Sequence, residues 1–110
     1  MIEYPMTQIP IDSLIRSFIE SLEAEKGYAK NTCRGYRRDL AEFVSYLDDN
    51  GFLKNRHKPG ADVMGVKTVN GIHIRGYLGH LHKRNKKSTI ARKLSAVRSF
   101  FKFLVKRGVI

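Results

Sequence analysis

The sequence predicts an all-α fold of four helices, and three observations carry that prediction. Apolar residues recur at helical spacing in four separate segments, glycine-bearing breaks divide those segments, and no stretch reads as a strand. At 110 residues, the chain (1–110) is long enough for a single domain with one modest core.

The first helix is IDSLIRSFIESLEAEKG, in which Ile11, Leu14, Ile15, Phe18 and Leu22 form one stripe. Asp12 or Ser13 is placed to cap it, and Gly27 stops it. Residues 1–9 before it read as a tail. The second helix runs from about Lys30 to Asn50, with Cys33, Tyr36, Leu40, Phe43, Val44 and Leu47 inward. Gly35 is a weak point within it, where another backbone has room to approach. Residues 51–69 break the pattern with glycines and a proline, so they read as a long loop with a short extended piece at Asp62–Val66. The third helix starts at Asn70 as cap and runs to about Asn85 on the stripe Ile74, Tyr77, Leu78 and Leu81. The fourth opens on Ser88 as N-cap and stops at Gly108.

Composition narrows the function. With 42% apolar and 28% charged residues the chain is a globular one, and no apolar run reaches the ~20 residues of a membrane span. The N-terminus lacks the basic and apolar regions of a secretory signal, and the single cysteine, Cys33, suits a reducing cytoplasm. No cofactor is indicated. A metal site is not expected either, because His80 and His82 point apart on a helix and Cys33 and His57 have no defined partners. No tyrosine has the base and oxyanion donors that a nucleophile needs around it.

Charge is the strongest signal. The net charge is +11, yet residues 1–55 carry seven Lys/Arg against nine Asp/Glu, while residues 56–110 carry fourteen against one. Such asymmetry predicts a polyanionic partner for the C-terminal half. Lys86–Gly108 alone holds eight cations and no carboxylate. At about 100° per residue, Ile90, Leu94, Val97, Phe101, Leu104 and Val105 share one face. Ser88, Arg92, Ser95, Ser99, Lys102 and Lys106 lie opposite, flanked by Lys93 and Arg98, and Phe103 falls far from the stripe. On the second helix Asn31, Arg34, Arg38, Glu42 and Ser45 point outward. There, Arg38–Glu42 has the spacing of an i,i+4 ion pair, the structural alternative to a binding role.

Two phrases resemble a known family. In KGYAKNTCRGYRRDLAEFVSYL, the residues Asn31, Thr32, Tyr36, Asp39, Leu40, Phe43 and Leu47 match the second helix of the core-binding domain of tyrosine recombinases, the phage-type integrases and Xer proteins. In KSTIARKLSAVRSFFKFLVKRGVI, the residues Thr89, Ile90, Arg92, Leu94, Ser95, Ala96, Arg98 and Phe100 match the fourth. Ala29 departs from the serine N-cap usual in that family.

The resemblance implies a four-helix SAM-like orthogonal bundle that grips one face of double-stranded DNA while a separate catalytic domain grips the other. It implies as partners that catalytic domain, elsewhere in the same polypeptide, and other recombinase protomers on the DNA, in a cytoplasmic, nucleoid-associated setting. The family's catalytic H-x-x-R occurs nowhere here, since Gly76, Lys83 and Asn85 stand three places after His73, His80 and His82. This chain is therefore expected to bind without catalysing.

The DNA-facing set expected is Lys30, Asn31, Thr32, Arg34 and Arg38 on the second helix. On the fourth it is Lys86, Lys87, Ser88, Thr89, Arg92, Lys93 and Arg98. Arg92 is expected to project furthest and enter the major groove, while Lys86, Lys87, Lys93 and Arg98 neutralise the flanking backbone. Val109, Ile110 and Phe103 are expected to be loosely held, at a linker or against another domain. The other function class that fits is a helical interaction or adaptor module using the same basic face. A membrane-surface helix fits less well, because the apolar face is needed as core.

Overall fold

Among the described residues four helices form, in the order and at nearly the positions the apolar stripes predict: α1 Ile11–Ala24, α2 Lys30–Asp49, α3 Gly71–His82 and α4 Lys87–Lys106. The structure, a computed structural model, describes residues 11–53, 69 and 71–110. The expected N-terminal tail, the Asn70 cap and the extended piece at Asp62–Val66 lie outside the described residues. The fold is an all-α helical bundle, with no strand among the described residues. None of the described helices is long and apolar enough to cross a membrane.

The helix α4 packs against α1, α2 and α3, and α1 also packs on α2. The core is continuous, running through Leu14, Phe18 and Leu22 of α1, Leu40, Phe43 and Leu47 of α2, Tyr77 and Leu81 of α3, and Ile90, Val97, Phe100 and Leu104 of α4. Aromatic rings carry much of it. Phe18 meets Tyr36, Phe100 and Phe103, and Phe43 meets Tyr77 and Phe101, each pair contributing ~0.5–1.5 kcal/mol beyond simple burial. His73 packs on Phe52 and His80 on Tyr46, so these two imidazoles serve as ring partners.

The helix ends follow local chemistry, with two corrections. Asp12 and Ser13 are already helical and do not stand before the helix as caps. The helix α4 starts one residue before Ser88, with Lys86 at the cap position and no side-chain cap bond. Ala29 stands at the cap position of α2 and makes no side-chain cap bond. Two C-termini close the same way. Gly51 (φ 75°) and Gly108 (φ 74°) adopt the left-handed conformation that only glycine reaches without strain. The next amide then reaches back, from Phe52 to the Leu47 carbonyl and from Val109 to the Leu104 carbonyl, both at 2.9 Å.

That closure corrects the expectation of a loose C-terminus. Val109 is 1% exposed, and Phe103 packs against Phe18 with the Arg107 guanidinium 5.0 Å from its ring centre. Arg107 also pairs with Glu25 at 3.1 Å, tying the end of α4 to the end of α1.

The buried arc of α4 is also turned from the expected one. Val105 is 61% exposed and Phe101 half-buried, while Lys93 and Ala96 join Phe100 inside. At about 100° per residue this rotates the arc by about 50°. Its cause is a carboxylate on α2, described below.

Two substitutions test this packing. A Cβ at Gly35 would meet nothing within 4 Å, so the room expected there is open space and not a backbone contact. Gly35→Ala should therefore stabilise the fold by up to ~1 kcal/mol in urea unfolding, the helix-propensity difference. Tyr77 is fully buried, and among the described residues its hydroxyl has no hydrogen-bond partner. Burial first, then Glu42 and Asp39, push its pKa above the ordinary 10.0. The folded state thus holds the phenol proton more tightly than the unfolded chain, and stability falls as pH rises past about 10. Tyr77→Phe should be as stable as the parent or more so at pH 7, by ~1 kcal/mol. Its advantage should grow in urea melts above pH 10.

Candidate nucleic-acid interface

Asp39 organises the site. It lies on α2 one residue before the core residue Leu40, and its side chain is 2% exposed. A buried carboxylate is costly unless its charge and lone pairs are met. Two consecutive residues of α4 meet them. Arg92 donates from Nε to Oδ2 and from Nη2 to Oδ1, both at 3.1 Å, in the two-point geometry of a guanidinium–carboxylate pair. The Lys93 ammonium lies 3.6 Å from the same Oδ1 and donates to Glu42, one turn further along α2.

Lys93 is therefore not a flanking surface cation. It is 9% exposed, and its charge is spent inside the protein. Two carboxylates and two cations form a cluster with no net charge. Glu42 is taken by Lys93, the alternative Arg38–Glu42 pair is not formed, and Arg38 stands exposed without an ion pair among the described residues.

Arg92 departs from expectation too. It stays half exposed, but it lies across α2 and does not project away from the bundle. The expected residues spread over four parts of the surface. Asn31, Thr32 and Arg92 share a cleft of about 460 Å³ between α2 and α4 with Gly35, Tyr36, Asp39 and Ser95. Lys30 and Arg34 border a separate depression beside α1, with Ile19, Glu23, Cys33 and Arg37. Arg98 borders a third, with Phe101, Lys102, Val105, Lys106 and Ile110. Lys86, Lys87 and Ser88 are exposed and Thr89 half-exposed at the start of α4.

Ser99, expected outside, turns toward Tyr36 instead. The Tyr36 pKa is raised chiefly by burial and by the neighbouring Tyr28, with the Ser99 hydroxyl working the other way. Sequence reasoning missed Asp39 and Glu42 as the groups that aim α4's cations. The available signal was that α4 has no carboxylate of its own, so any partner had to come from a neighbouring helix.

Residues 15–108 match the phage integrase, N-terminal SAM-like domain family. The chain belongs to that family. It is 36% identical over 95 residues to tyrosine recombinase XerC of Syntrophus aciditrophicus, covering 86% of this chain and 29% of that protein. Tyrosine recombinase XerD of Rhizobium meliloti is 35% identical over 96 residues, covering 86% and 27%. Tyrosine recombinase XerC of Anoxybacillus flavithermus is 30% identical over 101 residues, covering 91% and 30%. This phage-integrase-type domain thus spans under a third of the length of these curated relatives. No solved structure matches it.

In this SAM-like domain the cost of losing each carboxylate should differ sharply. Asp39→Asn leaves two buried or half-buried cations short of a counter-charge and should cost ~3–5 kcal/mol in urea unfolding. Glu42 is more exposed, and Glu42→Gln should cost no more than ~1 kcal/mol after solvent screening.

Proposed function

We propose that this chain is a duplex-DNA-binding domain, the N-terminal clamp of a site-specific tyrosine recombinase or integrase, with sequence-directed binding and no catalytic residues of its own. Family membership and the tyrosine-recombinase relatives support the role in recombination. The observation that carries the binding is the set of unneutralised cations. Lys30, Arg38, Lys86, Lys87 and Arg98 are all exposed, and none makes an ion pair among the described residues.

In this reading Lys86, Lys87, Ser88 and Thr89 hold phosphates at the start of α4. Lys30, Asn31, Thr32, Arg34 and Arg38 approach the duplex from α2, and Arg98 extends the basic surface along α4. Lys93 acts only through the fold. Catalysis belongs to another domain of the same polypeptide, and further protomers join on the DNA, in the cytoplasm with the nucleoid.

One domain of a two-domain clamp makes only some of the contacts. Its binding to arbitrary duplex should be weak, ~10⁻⁴–10⁻⁶ M at physiological salt, and steeply salt-dependent. Lys87→Ala should weaken binding to all sequences alike and lower the log–log salt slope by about one. Arg16→Ala, on the acidic α1, should change neither. Duplex titrations at several salt concentrations read both quantities. An Arg16→Ala loss equal to that of Lys87→Ala would move the interface elsewhere, and salt-insensitive capture of an acidic protein in place of DNA would favour the adaptor role.

A further inference from the structure

Arg92 is where the buried charge cluster reaches the surface. A guanidinium carries five N–H donors. Asp39 takes one on Nε and one on Nη2, leaving the end of the fork free on a side chain that is 53% exposed. That free end adjoins the α2/α4 cleft, whose other polar walls are Asn31, Thr32 and Ser95.

Apart from Asp39, every polar side chain lining the cleft can donate a hydrogen bond: Arg92, the Asn31 amide and the Thr32, Tyr36 and Ser95 hydroxyls. The Asn31 Oδ1 already accepts from Arg34 at 3.3 Å, which turns the Asn31 amide N–H groups to other partners. The Asp39 carboxylate, the acceptor at the base of the cleft, is neutralised by Arg92 and Lys93. A cleft of hydrogen-bond donors with its carboxylate neutralised suits an anionic oxygen. Gly35 keeps the space open, since nothing lies within 4 Å of where its Cβ would stand.

Position decides which DNA atom that is. Base edges lie at the floor of a groove, so a side chain that reads them must extend from the protein. Phosphates are the outermost groups of the duplex and come to a recessed donor. Arg92 is tethered back across α2. We propose that the α2/α4 cleft is a phosphodiester site in which Arg92, positioned by the buried Asp39, holds the DNA backbone and does not read a base. This rests on the duplex-binding reading above and replaces the expectation that Arg92 enters the major groove.

The test titrates the 110-residue chain and its variants against several duplexes of unrelated sequence, over a range of salt, with folding followed by circular dichroism. Arg92→Ala should weaken every duplex by the same factor, about tenfold, the scale of one lost charged hydrogen bond, and lower the salt slope by about one. Arg92→Lys keeps the charge but loses the fork, so affinity should fall several-fold with the slope retained. Gly35→Leu fills the cleft without touching a charge, and should fold normally yet bind several-fold more weakly. Asp39→Asn, where folded, should lower affinity at unchanged slope, because the arginine remains but is no longer aimed.

A loss confined to one duplex sequence on Arg92→Ala would make Arg92 a base reader and overturn the proposal. Wild-type binding by both folded Arg92→Ala and Gly35→Leu would equally overturn it. Failure of the folded wild-type chain to bind any duplex would instead remove the DNA-binding reading itself.

Discussion

A carboxylate with almost no contact with water governs this structure. Asp39 sits beside the core of α2, and burying it demands positive charge at close range. Arg92 and Lys93 supply it from α4, and this sets the rotation of α4 against α2. With Lys93 drawn inward, Ala96 and Phe100 follow on the same side and Val105 is left in solvent. The Tyr36–Ser99 contact lies on the same interface. The cluster cancels its own charge, and Lys30, Arg38, Lys86, Lys87 and Arg98 outside it have no ion-pair partner among the described residues.

Much of the fold was legible in the residues. Four amphipathic stripes at helical spacing placed each of the described helices to within a few residues, because each buries one face against its neighbours. Leu14, Phe18, Leu40, Phe43, Tyr77 and Leu104 are core as their spacing predicts. The family was legible too, since the motif residues of two separate helices stand in the right order.

The site was less legible, and for a physical reason. A helical wheel assigns one inward direction, whereas α4 touches three helices and has a broad buried arc. A residue at the edge of that arc can be charged and still be structural, as Lys93 is. Asp39 and Arg92 were each visible in the sequence, but a contact across 53 positions depends on how two helices cross. Spacing within either helix carries no such information. Val109 was misjudged because the left-handed turn at Gly108 folds the following residue back onto the core.

That turn has a mechanical meaning. Tension applied to the chain at Ile110 does not act first on the rungs of α4. It must pull Val109 from its apolar seat and break the amide bond from Val109 to the Leu104 carbonyl before the helix can begin to unwind. The Arg107–Glu25 pair and the ring of Phe103 brace the same point against α1. The last turn of α4 is thus a strain relief, passing load into the packed interior of the bundle and sparing the helical stretch that carries Arg92 and the basic residues of the binding face.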